Sequence, residues 1–293
     1  MIKLIEDYLN AFRAQLRGSD RATVQDALSD AEDHLSSALK EEMELNPEER
    51  EEEAAEKVIE KYGDPSDLAE YYRNVEKYTT PAITAKARRN SGFGGFIGVL
   101  GDPSAWASLL YMIISLATGV IYFSWAVTGI SVTAGALVLI VGIPFAWIFF
   151  LSVRGLAFVE GRIVEALLGA RMPRRPVFVR KGPGWWGSIK GVLSTGSSWS
   201  AFLYLVIMLP LGTLYFTVFT VLLSVSLFMI FDPVLELVFK IPLWDLPQPW
   251  WTPVWLMPVI VIAGFCLFLG MLHLAKLTGK LQGRLARTML VSG

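Results

Sequence analysis

Two kinds of apolar spacing divide the chain. Up to about residue 77 the apolar positions recur every three or four residues between charges, and from about residue 98 they run on with few interruptions. In the first part, Ile2, Ile5, Leu9, Phe12 and Leu16 share one face of a helix over 2–17. Ser19 or Asp20 can cap a second helix, which carries Leu28, Ala31, Leu35 and Leu39 and ends near Leu45. Asn46-Pro47-Glu48-Glu49 has the order of a helix start: a capping side chain, a proline in the first turn, then acids at the positive end of the dipole. Ala54, Ala55, Val58 and Ile59 would be its buried stripe, and Gly63 suits the left-handed residue that closes it. Asp64 caps again, and Pro65 opens a fourth helix with Leu68, Tyr71, Tyr72 and Val75. The expectation is a small helical bundle over 1–77, with a core modest enough that partner contact or a homo-oligomer is expected.

Residues 78–97 are rich in Thr, Pro, Ala and Gly and form a linker, with Lys86, Arg88 and Arg89 as a charge anchor or a lipid-recognition patch before the apolar part. Trp106–Thr128 is long enough to span a bilayer, Gly129–Ser131 is a turn, and Val132–Val153 returns, bent near Gly142 and Pro144. An amphipathic continuation over Gly155–Gly169 leads into a basic loop with Arg171, Arg174, Arg175, Arg180, Lys181 and Lys190. Trp199–Phe231 exceeds what a bilayer requires, so it should tilt, kink at Pro210 or project. Residues 232–252 are acidic, Trp255–Leu274 spans back, and Lys276, Lys280, Arg284 and Arg287 lie on a basic amphipathic end.

The apolar part holds one stretch twice. Gly98, Ser104, Trp106, Leu110, Tyr111, Gly119, Tyr122 and Phe123 match Gly191, Ser197, Trp199, Leu203, Tyr204, Gly212, Tyr215 and Phe216 without a gap. Apolar composition alone would scatter Leu, Ile and Val matches but would not align Trp, Tyr and Gly. A weaker echo pairs Gly161-Arg162 with Gly283-Arg284. The fold class is therefore all-α: a polytopic membrane protein with four transmembrane helices as a parallel duplicated two-helix unit, preceded by an N-terminal cytoplasmic helical bundle. The expected parts are the head at 1–77, the linker at 78–97, and repeats at 98–190 and 191–293. Basic segments on one side and acidic 232–245 on the other put both termini in the cytoplasm of a multi-pass protein. The N-terminus shows no cleavable signal pattern, in keeping with that.

Charge sharpens the division. The net charge of −1 conceals an acidic head and a basic membrane part; beyond residue 90 the acids are Asp102, Glu160, Glu165, Asp232, Glu236 and Asp245. The spanning segments show no convincing buried acid or base, since Asp232 and Glu160 fall at ends and His273 near the inner interface, which weighs against a proton-coupled carrier. Cys266 is the single cysteine, and the two histidines, His34 and His273, are far apart, so neither a disulfide within the chain nor a metal site is expected. No phosphate-cradling loop, nucleophile motif or paired-carboxylate arrangement appears, so neither a cofactor nor enzyme activity is expected, nor direct nucleic-acid binding. Gly63-Asp64-Pro65 and Gly101-Asp102-Pro103 resemble motifs, but capping accounts for both. Trp244, Trp250, Trp251 and Trp255, stiffened by nearby prolines, form either an aromatic belt at headgroup level or a platform for a lipid or apolar ligand, to which Asp232, Glu236 and Asp245 would add a contact for a cation or cationic peptide. Glu48, Glu49 and Glu52 on the head are opposite in charge to Arg174, Arg175 and Arg180 and are candidates for docking it to the membrane part.

These residues carry a resemblance. The head, through Ile5-Glu6-Asp7-Tyr8-Leu9, Asp30-Ala31-Glu32-Asp33-His34 and Tyr62-Gly63-Asp64-Pro65, resembles the HAAS signalling domain, with Tyr62 where that family has Leu. The membrane part, through Trp106, Leu110-Tyr111, Gly119, Tyr122-Phe123, Glu160-Gly161-Arg162 and Ala166-Leu167-Leu168-Gly169, is similar to the sensor domain attached to some bacterial and archaeal histidine kinases. The resemblance implies a signalling role, commonly beside PadR-like transcriptional regulators. Nothing after Leu290 is expected to hold ATP, so signalling is expected to pass by protein contact. The competing expectations are a transport component for lipids or small apolar molecules and a lipid-modifying membrane enzyme.

Overall fold

The computed structural model describes residues 3–78, 93–137, 142–174, 196–240 and 252–291. Those residues are helical throughout their ordered elements. The head comprises α1 (Lys3–Gln15), α2 (Arg21–Leu45), α3 (Glu51–Tyr62) and α4 (Pro65–Tyr78). A short α5 (Phe93–Ile97) and a 3₁₀ turn (Gly98–Gly101) lead into α6 (Pro103–Leu137), α7 (Gly142–Leu168), α8 (Gly196–Leu237) and α9 (Met257–Leu290). Among the described residues these last four are long and apolar enough to cross a membrane.

The head core follows the predicted stripe: Ile5, Tyr8 and Phe12 on α1, Leu16 in the turn after it, Ala27, Ala31 and Leu35 on α2, Ala54, Ala55 and Val58 on α3, and Ala69 on α4 are buried. Tyr8 donates from its hydroxyl to the carbonyl of Gly63 at 2.8 Å, and burial pushes that hydroxyl up to about 12. Tyr62 sets its ring against Tyr8 and His34, which gives the departure from Leu a packing role. Tyr71, expected on the buried stripe, is 63% exposed.

Local chemistry moved several boundaries. Asn46 closes α2 rather than opening α3: its backbone N–H and side-chain amide both turn back to Glu42, and α3 starts only after Arg50. Asp64 and Asp102 act as caps, accepting from Ser66 N–H at 2.7 Å and Ser104 N–H at 2.9 Å. The predicted turn at Gly129–Ser131 is a correction, because α6 continues through it to Leu137. Gly129 is instead a close-approach glycine. A Cβ there would lie 2.0 Å from Cε2 of Phe149, so its absence lets α7 press its ring onto α6. Likewise α8 is one helix of 42 residues that continues through Pro210 to Leu237.

The duplication is visible as packing. A Cβ on Gly119 would meet the Met208 carbonyl oxygen at 2.5 Å, and one on Gly212 would meet the Ser115 carbonyl oxygen at 2.2 Å. Ser115 and Met208 occupy matched places in the repeat, so each copy offers the same patch to the other, as a two-fold axis between α6 and α8 requires. Small residues let the two backbones touch there. The outward faces also correspond: Trp106 and Trp199 are 44% and 50% exposed, and Leu110 and Leu203 are both 51% exposed. In the second helices, the echo at Gly161 and Gly283 extends to Phe150/Leu272, Val153/Ala275 and Val164/Ala286, all buried.

Candidate functional site

A polar cluster sits where the pseudo-two-fold passes between the repeats. Glu160 of α7 is wholly buried. Its Oε1 accepts from the hydroxyls of Tyr111 at 2.6 Å and Tyr204 at 3.1 Å, and its Oε2 accepts from Tyr122 at 2.9 Å. The repeat partner of Glu160 is Gln282 of α9, directly before the matched Gly283-Arg284. Its Oε1 accepts from Tyr215 at 3.1 Å, and its Nε2 faces the hydroxyls of Tyr204 at 3.1 Å and Tyr111 at 3.3 Å. Tyr122 and Tyr215 therefore hold equivalent acceptors in the two copies. Tyr111 and Tyr204, also equivalent, stand between a carboxyl and a carboxamide.

This corrects the expectation that the spans hold no buried acid and that Glu160 lies at an end. Trp125 of α6 donates to Ser152 Oγ of α7 at 2.9 Å. Eight residues further along these antiparallel helices brings Glu160 opposite Ala117, the middle of the apolar run Trp106–Thr128. A carboxyl at that depth is tolerated only when its oxygens are hydrogen-bonded, and three hydroxyls from both repeats supply those bonds. The sequence signal was available: matched tyrosines and the Gly-Arg echo pointed at Glu160 and Gln282, but helical continuation past Val153 was taken to leave the membrane.

Other polar side chains tie the repeats at the end nearer the head. Lys276 of α9 binds Asp102 at the start of α6. Burial works to raise the Asp102 carboxyl, but hydrogen bonds from Lys276 and Ser104 outweigh it and hold the carboxyl below its usual range. Arg154, the repeat partner of Lys276, donates to Ser198 Oγ at 2.7 Å from one terminal nitrogen. His273 is stacked on Phe96, which anchors α5 to α9.

The head is joined to both repeats through one helix. After α7, Gly169 takes a positive φ of 67°, Met172 is buried and Arg162 holds the carbonyls of Met172 and Pro173. From this hook the backbone N–H of Arg174 donates to Asp26 of α2 at 2.7 Å. Asp20, at the start of the same helix, is bound by Arg287 of α9. Asp20 thus gives its carboxylate to Arg287, and α2 has no side-chain cap bond from it. Of the expected docking residues, Arg174 is at this contact, while Glu49 pairs with Lys57 within the head and Glu48 and Glu52 are exposed. Arg175 and Arg180 lie outside the described residues, as do Trp244, Asp245, Trp250 and Trp251. Trp255 is 75% exposed just before α9. Among the described residues no group of three or more His, Cys, Asp or Glu is placed to hold a metal.

Four long apolar helices in two matched pairs, with an acidic helical head clamped to both, define a multi-pass membrane protein of the sensor or regulator class. Residues 111–290 match the family model described as "Putative sensor", and the chain belongs to that family. Residues 7–71 match the HAAS family model. No curated protein and no solved structure is matched by the chain.

Proposed function

We propose that the protein senses a change in the membrane or at its outer face and passes it to a cytoplasmic protein through the head. The observation that supports this most is the double attachment of α2, by Asp26 to the hook after α7 and by Asp20 to α9. A rotation or shift of one repeat against the other strains these two contacts differently, and α2 must respond. The tyrosine cluster supplies the resisting element, since Tyr111 and Tyr204 cannot both keep Glu160 and Gln282 if the repeats move apart. Coupling of this kind needs two packings with different contacts. The partner class is a PadR-like regulator or another cytoplasmic signalling protein, and both termini are cytoplasmic.

The test is transcription from a promoter controlled by a PadR-like regulator expressed with the chain. Asp20→Arg should change the output, and adding Arg287→Asp should restore it. An output that ignores the presence of the whole chain would remove the reading. For orientation, a variant with Cys266→Ser and Leu246→Cys should react with an impermeant thiol reagent in intact cells, whereas Phe178→Cys in the same background should not.

A further inference from the structure

The second repeat departs from the first at the end of the bundle away from the head. In the gapless register of the repeats Leu137 corresponds to Ile230, and Asp232 and Glu236 of α8 match the apolar residues Leu139 and Ile143 in sequence. Asp232 and Glu236 lie one helical turn apart on one face of α8 and are 2% and 4% exposed. Glu236 is held in place: Thr252 donates to it from its N–H at 3.0 and 3.1 Å and from Oγ1 at 2.8 Å. Asp232 is not, because its buried Oδ2 has no hydrogen-bond partner. Two buried carboxylates side by side repel and are poorly solvated unless a positive charge joins them. Among the described residues no ion pair or hydrogen bond from a basic side chain reaches either carboxylate. From residue 229 to residue 262 the sequence contains one base, Lys240, and it is exposed beyond the end of α8.

We propose that Asp232 and Glu236 bind a hard divalent cation, Ca²⁺ or Mg²⁺. One such ion would neutralise both carboxylates and supply what Asp232 Oδ2 lacks, and carboxylate oxygens are the donors these ions take. Glu236 Oε2 accepts only the Thr252 N–H and keeps a lone pair free. Pro233 brings no N–H to the Met229 carbonyl, which leaves a further oxygen on the side of the helix shared with 232 and 236. Access is not blocked by lipid: Asp232 is about 50 Å along α8 from Trp199, beyond a hydrocarbon core of roughly 30 Å. The site stands apart from the signalling proposal, and where both hold, the cation is a stimulus or a structural clamp on the sensing end.

The full-length protein in detergent is titrated with CaCl₂ and, separately, MgCl₂ by calorimetry, with thermal unfolding followed in parallel. Saturable binding near or below about 1 mM and a Tm that rises with the cation are expected. Asp232→Asn and Glu236→Gln keep side-chain shape and should each weaken binding by roughly tenfold or more. Asp102→Asn, at the opposite end, should bind as the wild type does. No heat and no Tm change with either cation at about 10 mM would overturn the proposal, as would unchanged binding by Asp232→Asn. So would a Tm that rises on acidification but ignores both cations, which would mean that the pair shares a proton. Because binding is read without a partner, these outcomes leave the signalling proposal to its own test.

Discussion

The two repeats are alike where α6 crosses α8 and unlike at several of their other contacts, and that contrast separates what holds the molecule from what it can use. At the α6–α8 crossing the copies present the same glycines, the same carbonyls and the same outward Trp and Leu. In the polar cluster they differ by Glu160 against Gln282, and at the far end by Asp232 and Glu236 against Leu139 and Ile143 in the sequence. A homodimer built from one repeat could not place a single carboxyl on its axis without placing two. Duplication within one chain permits the asymmetry: one copy holds the carboxyl, the other supplies the amide donors, and four tyrosine hydroxyls connect them.

The largest effect should come from breaking the part that is alike. Gly→Ala in a helix interior normally stabilises by about 1 kcal/mol. At Gly119 and Gly212 the added methyl meets a backbone oxygen, which cannot rotate away as a side chain could. Overpacking of about 1–3 kcal/mol or more should win at each site. Gly119→Ala with Gly212→Ala should therefore abolish folding or lower Tm steeply, by thermal unfolding in detergent. A double variant as stable as the wild type would mean that α6 and α8 do not cross there.

Next comes the place where the copies differ in chemistry. Glu160→Ala leaves three buried hydroxyls without their acceptor, a loss of about 3–5 kcal/mol. Glu160→Gln and Gln282→Glu should each lose about 2–3 kcal/mol, the first because one of the two accepting oxygens becomes an amide donor and the second for want of that donor. If the axis is real, exchanging the two restores the donor and acceptor count by reflection: Tyr215, Tyr111 and Tyr204 then serve the carboxyl at 282. The Glu160→Gln, Gln282→Glu double variant should be more stable than either single one, a coupling that a double-mutant cycle reads directly. Strict additivity would show that the two halves of the cluster are not equivalent.

A smaller effect tests an ion pair present in only one copy. Asp102 binds Lys276, but the position matching Asp102 in the second repeat is Thr195. Because the folded carboxyl titrates below its ordinary range, its contribution is fully present above about pH 4 and is lost as pH falls through the lower folded value. Asp102→Asn should remove about 1–2 kcal/mol at neutral pH and flatten the acid limb of the stability curve. An acid limb identical to the wild type's would leave the pair without a role in stability.

Much of this architecture was legible. The head stripe, the Asp-Pro-Ser caps, the four spans and the parallel duplication follow from periods and matched residues that survive any detail of packing. What was not legible arose where one residue serves two ends. Gly129 has the composition of a turn, yet its lack of a Cβ is used for contact with Phe149, which lies 20 residues away. Asp20 has the position of a cap, but its carboxylate goes to Arg287 across the molecule. Glu160 has the position of a residue beyond a span's end, on the amphipathic continuation past Val153; only the tyrosines folded around it make burial possible. The echo Gly161-Arg162/Gly283-Arg284 carried the missing information one residue short of its chemistry.

The smallest effect concerns the joint between the head and the repeats, and it is where stability and signalling should part. The Asp20–Arg287 pair is partly exposed, with side chains 17% and 39% accessible, so removing it should cost about 0–1 kcal/mol, and less at high salt. Asp26 accepts a backbone N–H from the hook, a contact of similar size. Asp20→Asn with Asp26→Asn should therefore lower Tm by no more than about 5 °C at this protein's size. The head, however, would be held by fewer contacts, and a protease acting in the linker near Lys86–Arg89 should release it from membranes more readily. Adding about 0.5 M NaCl to the wild type should reproduce part of that release, since the screening length then falls well below 10 Å. Release rates equal in both proteins at both salt concentrations would show that α2 is fixed by something other than these two acids, and the proposed route from the repeats to the head would lose its physical basis.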